Sequence, residues 1–151
     1  MRHAKTEGIY ECFIAAIDVE KYKQTSKLTI TLEIRSDVPK KGLLRNTNGK
    51  WGGDFLTIQY WQKKATRRFN IQNLQILCYA CGIPEHLEIN GVNGLKDILI
   101  GRQVQVLVKN EYDSYLGSKV SHIAPWNIKP TAIPNLKLLK DYRQTNGYDE
   151  T

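Results

Sequence analysis

The residues in this chain best able to do chemistry are aromatics and cations set close together. Trp51, Tyr60 and Trp61 are followed at once by Lys63, Lys64, Arg67 and Arg68. A flat ring gives any nucleobase a surface to stack on. A Lys or Arg neutralises phosphate and releases its counterions. These two interactions are what hold a single-stranded nucleic acid. Two smaller groups repeat the pattern, Lys21, Tyr22 and Lys23 early in the chain and the tyrosines Tyr112 and Tyr115 late in it. Between Lys40 and Arg68, eight basic residues (Lys40, Lys41, Arg45, Lys50, Lys63, Lys64, Arg67 and Arg68) meet one acid, Asp54. That excess equals the net charge of +7 carried by the whole 151-residue chain. A basic block alone describes a solvated surface as readily as a binding face. Its concentration in one aromatic-interleaved segment favours a polyanion partner.

Other chemistries fit less well. Cys78 and Cys81 form a single CxxC, with Cys12 remote in sequence and His86 nearby. A structural zinc asks for four ligands from two such clusters. Ile71, Leu74, Cys78 and Cys81 recur at helical spacing, so both thiols are expected on the core face of one helix, as packing. His3, His86 and His122 are scattered, and the 15 acidic residues are dispersed. No nucleophile–base pair, phosphate-binding loop or paired carboxylate stands out. The expectation is a binding protein that is not an enzyme and uses no metal or cofactor. The opening MRHAKTEG has no apolar run behind its basic residues, and no stretch approaches the roughly 18 apolar residues of a membrane span. A cytosolic location is expected.

The elements that must position these residues are mainly strands. Gly101–Trp126 organises the rest as a late hairpin. Val104, Val106 and Val108 alternate with polar residues, then a tip over Glu111–Ser118 leads into a strand over Lys119–Ala124. Such a hairpin cannot bury its own apolar face and needs earlier strands. Ile9–Val19 reads as a long first strand, apolar on both faces and therefore buried or curved, followed by a polar turn at Glu20–Ser26. Lys27–Arg35 is the clearest strand, with Leu28, Ile30, Leu32 and Ile34 inward. Lys40–Asp54 reads as a glycine-punctuated loop carrying Trp51, and Phe55–Trp61 as a third strand. There alternation puts Leu56, Ile58 and Tyr60 on the core face and Trp61 on the other. Asn70 is a plausible cap for a helix over Ile71–Cys81 that Gly82 and Pro84 stop. Glu85–Asn93 reads as loop, and Leu95–Ile100 as a further helical turn. Past Trp126 prolines punctuate the chain. The predicted division is a domain over residues 1–126 and a loosely tied extension over 127–151, whose Leu136, Leu139 and Tyr142 could serve oligomerisation or a partner.

The resulting order, three strands, a helix and two strands, predicts an all-β protein with one main helix. The architecture expected is a five-stranded OB-type Greek-key barrel with its helix between strands 3 and 4. Such a fold offers its ligand the face of strands 2 and 3, flanked by the loops after strand 1 and between strands 4 and 5. The candidate nucleic-acid-binding set is therefore Trp51, Trp61, Lys63, Lys64, Arg67, Arg68, Lys21, Tyr22, Lys23, Tyr112 and Tyr115. Trp51 and Trp61 are the base platforms, and Tyr60 is packing.

The stretch LIGRQVQVLVKNEYDSYLGSKVSHIAPW, the helix exit CGIPE and the strand exit IRSDV resemble a phage protein family. It is the small single-stranded-DNA-binding protein encoded in replication and recombination modules of phages of Gram-positive bacteria, long filed as a domain of unknown function. The likeness spans roughly residues 8–126. It implies an OB fold and sequence-tolerant binding of single-stranded DNA beside a phage recombinase, in the cytoplasm of the host bacterium. Three other readings of the same residues stay open. They are an RNA-binding OB module, a phage structural or adaptor protein using the aromatic patch as a protein interface, and a nuclease acting at DNA junctions.

Overall fold

A computed structural model describes residues 4–84 and 91–137. Among the described residues six strands and three α-helices follow one another, with a 3-10 turn at Gly42–Leu44. β1 (Gly8–Lys21), β2 (Ser26–Ile34), α1 (Asn48–Trp51) and β3 (Phe55–Trp61) come first, then α2 (Ile71–Ala80) and α3 (Gly91–Leu99). β4 (Gln103–Asp113), β5 (Ser118–His122) and β6 (Ile128–Pro130) complete the order.

Alternation in β2 does what its pattern requires. Leu28, Ile30, Leu32 and Ile34 are buried, and they meet β3 in register as Leu28↔Tyr60, Ile30↔Ile58 and Leu32↔Leu56. Val104, Val106 and Val108 of β4 are buried, paired in register with Cys12, Tyr10 and Gly8 of β1. Leu32 is wholly enclosed, so Leu32→Ala should cost about 2–5 kcal/mol in chemical denaturation. A loss under about half a kcal/mol would show that β2 is not a core strand.

β1 holds the long curved position its composition suggested. Its pairing with β2 slips between Ile14 and Ala16, so Ala15 is an extra, bulged residue that bends the strand. Tyr10, Cys12 and Ile14 face the core before the bulge and Ile17 after it. That change of parity is why the strand reads as apolar on both faces.

The sheet is antiparallel along the path β3-β2-β1-β4-β5, with β6 added to β4. This corrects the expected closed five-stranded barrel, because the hydrogen-bonded path is open and a sixth strand is present. The N-terminal segment lies between the two edges instead. The Lys5 backbone N–H donates to Ser121 Oγ of β5 at 2.7 Å. The Lys5 ammonium reaches Asp54, at the entry to β3, at 3.6 Å.

α2 is capped as expected, Asn70 accepting from the Asn73 N–H at 3.2 Å, and Gly82 exits at φ 73°. Its buried face is rotated from the expected one. Leu77, Ala80 and Cys81 are buried while Ile71 is exposed, and Leu74 and Cys78 only pack partly against the core. The helix docks through Leu77, a position the cysteine spacing omits. α3 begins at Gly91, ahead of the expected turn over Leu95–Ile100. Within the expected loop Glu85–Asn93, residues 85–90, His86 among them, lie outside the described residues, as do His3, Leu139 and Tyr142.

Two segments expected to be loose are instead tied down by buried polar groups. Asn48 opens α1 inside the protein. Its carboxamide accepts from the Glu11 N–H at 2.9 Å and donates to the Glu11 and Arg35 carbonyls, both at 2.8 Å. The Arg35 guanidinium, fully buried, forms a two-pronged pair with Asp37 at 2.9 Å and lies 3.8 Å from buried Glu11. Thr131 bridges that pair, accepting from Arg35 and donating to Glu11. Beyond Trp126, Ile128 is buried and β6 pairs Val106↔Ile128 and Val104↔Pro130. The start of the expected extension is thus part of the sheet, and a proline at its end suits an edge strand.

Candidate nucleic-acid interface

The second face of β2 and β3 is built from the cross-strand pairs Lys27↔Trp61, Thr29↔Gln59, Thr31↔Thr57 and Glu33↔Phe55. On the other side of β2, β1 adds Glu20 beside Lys27 and Asp18 beside Thr29. Tyr60 is buried and Trp61 half exposed, as alternation along β3 requires.

At one end of this face a set of side chains is fixed in place. The turn between β1 and β2 closes on Tyr22 N–H to the Thr25 carbonyl at 2.7 Å. It is stitched to the exit of β3 by Ser26 N–H to Gln62 Oε1 at 2.8 Å. Tyr22 and Trp61 therefore meet, their ring centroids 5.3 Å apart and their planes at 41°. The Lys27 ammonium sits over both, 5.2 Å from the Trp61 ring and 5.6 Å from that of Tyr22, as the ring quadrupoles favour. Glu20 holds the arrangement from below, accepting from the Tyr22 hydroxyl at 2.8 Å and lying 3.8 Å from Lys27. Both rings keep about half their surface in solvent. Lys27 and Glu20 were absent from the sequence-based set. The signal that finds them is their register opposite Trp61, which no local pattern shows.

Lys21 and Lys23 are exposed on either side of Tyr22. Past Trp61, the chain turns back on itself through Lys63 N–H to the Arg68 carbonyl at 2.9 Å and Arg67 N–H to the Lys63 carbonyl at 2.7 Å. Arg67 takes the left-handed conformation, φ 55°, unusual for a residue with a side chain. Lys63, Lys64, Arg67 and Arg68 are all exposed, and none is in an ion pair among the described residues. The strand face itself is mixed in charge, since Asp18, Glu20 and Glu33 share it with Lys27. The unpaired cations lie in the turns at its border.

The remaining candidates lie elsewhere. Trp51 sits in α1, not in a free loop. It is half buried against the core, its indole N–H donating to Thr6 Oγ1 at 3.0 Å, with Lys5 and Lys50 5.5 and 5.2 Å from the ring. α1 leads into the start of β3, so Trp51 is separated from Trp61 by the strand's length, about 20 Å at the usual rise. Its surroundings are those of a packing residue. Tyr112 and Tyr115 are exposed on the β4–β5 hairpin. The strands run further toward the tip than expected, so Tyr112 lies within β4 and the turn is short. Asp113 Oδ1 orders it, accepting from the N–H groups of Tyr115 and Leu116 at 2.9 and 3.1 Å. β4 meets Gly8 at Val108 and continues past it, which puts the tip at the Gly8 end of β1 and the Tyr22 turn at the Lys21 end.

Burial raises the Cys78 thiol and pushes that of Cys81 up to about 12. Both are therefore held as thiols, the unreactive form. Among the described residues no three His, Cys, Asp or Glu side chains group as metal ligands.

Fold and site together define a mostly β protein, an open antiparallel sheet with an aromatic and basic corner. The chain belongs to the DUF669 family, described as a protein of unknown function, whose model matches residues 2–150. A comparison with curated proteins finds no match.

Proposed function

We propose that this protein binds single-stranded DNA with little regard to sequence, and that β2, β3 and the β1–β2 turn form the binding surface. The observation that carries the reading is the Tyr22–Trp61 pair under Lys27, half open to solvent and bordered by four cations with no acidic partner among the described residues. Half open to solvent, the rings keep a flat surface free, and a base stacked on one contributes about 1–3 kcal/mol. Unpaired cations beside the rings suit the phosphates that connect successive bases.

On this reading the sheet is an open relative of the OB architecture, which takes oligonucleotides on strands 2 and 3 beside the turn that joins strands 1 and 2. The likeness of the hairpin and helix-exit motifs to phage single-strand binders supports the same function, in phage DNA replication and recombination beside a recombinase. No helix among the described residues is long and apolar enough to cross a membrane.

The test is a tryptophan-fluorescence titration with oligo-dT against a duplex of equal length. Binding should change the emission with the single strand, saturate, and weaken as salt rises, with the duplex far weaker. Equal response to duplex, or none to either, would overturn the proposal.

A further inference from the structure

At the far end of the same face from Trp61, a carboxylate stands without a partner. Glu33 on β2 lies directly between Phe13 of β1 and Phe55 of β3, one residue opposite it on each side. Directly opposed residues share a sheet face with Cβ atoms about 5 Å apart. Phe13 is buried, while Phe55 keeps about half its surface in solvent (49%). The Glu33 side chain has no hydrogen bond or ion pair among the described residues. The nearest cation along β2, Arg35, is taken up by Asp37, Glu11 and Thr131. Glu20 offers the contrast, since it shares this face and is engaged by Lys27 and Tyr22.

This position costs the folded protein something. Burial raises the Glu33 carboxyl above its ordinary range, because the charged form is held beside two phenyl rings with nothing to offset it. An unpaired, partly desolvated carboxylate whose neighbours along the face are Thr29, Thr31, Thr57 and Gln59 is a candidate ligand group.

We propose that Phe55 and Glu33 form a base subsite that selects guanine. This rests on the single-strand reading above and adds to it a preference at one position. A base stacked on Phe55 presents its Watson–Crick edge, which an unpaired strand leaves free. A carboxylate only accepts hydrogen bonds. Guanine offers it two adjacent donors, N1–H and the N2 amino group, and so can engage both oxygens. Cytosine and adenine offer an amino group beside an acceptor. Thymine offers one N–H flanked by two carbonyl oxygens, which a carboxylate repels. At the Trp61 end the carboxylate beside the rings, Glu20, is engaged by Lys27 and Tyr22, and Asp18 stands beside Thr29 rather than opposite an aromatic ring, so selection is assigned to the Phe55 end.

The experiment compares alternating (dG-dT) and oligo-dT strands of equal length on the wild-type protein, Glu33→Gln and Phe55→Ala, with far-UV circular dichroism for each. Wild type should prefer the guanine-containing strand by about fivefold or more, the lower end of what a two-pronged base interaction gives. Glu33→Gln should remove the preference, bringing the ratio of the two affinities to about one. Phe55→Ala should also lose the preference. Replacing dG by deoxyinosine, which lacks the N2 amino group, should reduce it in wild type. Equal affinity of wild type for both strands, or a preference that survives Glu33→Gln, would overturn the subsite and leave the general single-strand reading standing. Failure to bind either strand would overturn both.

Discussion

Arg35→Ala should destabilise the protein by about 3–5 kcal/mol, the largest single effect expected of a polar residue here. The guanidinium is fully enclosed and Glu11 is 1% exposed, so its removal leaves a buried carboxylate without its charge partner. It also unties Asp37 and removes one donor to Thr131. Urea unfolding followed by circular dichroism measures the loss. A value below about 1 kcal/mol would mean that the cluster is wet enough to screen its own charges. Replacing Arg35 and Glu11 together by apolar residues should recover much of the loss, because the cost lies in the orphaned charge more than in the missing pair.

The same cluster predicts a pH dependence. The Arg35 hydrogen bonds hold the Asp37 carboxyl below its usual range, helped by Asn135 and opposed by burial. A lowered carboxyl pKa contributes stability that is present above the ordinary carboxylate range. That stability fades as pH falls through the folded-state value. Wild type should show this acid-side loss from Asp37, and Arg35→Ala should show much less of it.

Trp61→Ala should weaken single-strand binding by roughly 1–3 kcal/mol, with the slope of log affinity against log salt nearly unchanged. Tyr22 and Lys27 both rest on the indole, so the substitution removes the platform and loosens its neighbours together. Joint replacement of Arg67 and Arg68 by alanine should instead flatten the salt slope by about 0.7 for each phosphate no longer neutralised. The reverse pattern, a flattened slope for the tryptophan variant and an unchanged one for the arginines, would break the division of labour between stacking and charge. Trp51→Ala, by contrast, should act on stability, because that indole is packed and hydrogen-bonded.

Local pattern alone determined much of this molecule. Period-2 alternation placed Leu28, Ile30, Leu32 and Ile34 inside and separated buried Tyr60 from exposed Trp61, because a strand can turn only every second side chain to the core. Asn70 and Gly82 marked the ends of α2 through their own backbone chemistry. What needed the tertiary structure were the pairings between residues far apart in the chain. Lys27 meets Trp61, and Glu33 meets Phe55, only because β2 and β3 pair in one register. Asn48 reads as a turn residue until β1 and the end of β2 present three backbone groups to its carboxamide. No local pattern pairs Arg35 with Glu11; they become a buried pair, bridged by Thr131, only in the folded chain. The closed barrel failed for the same reason. Strand order is a local inference, but whether the two edges join depends on what lies between them, and here Lys5 reaches both sides.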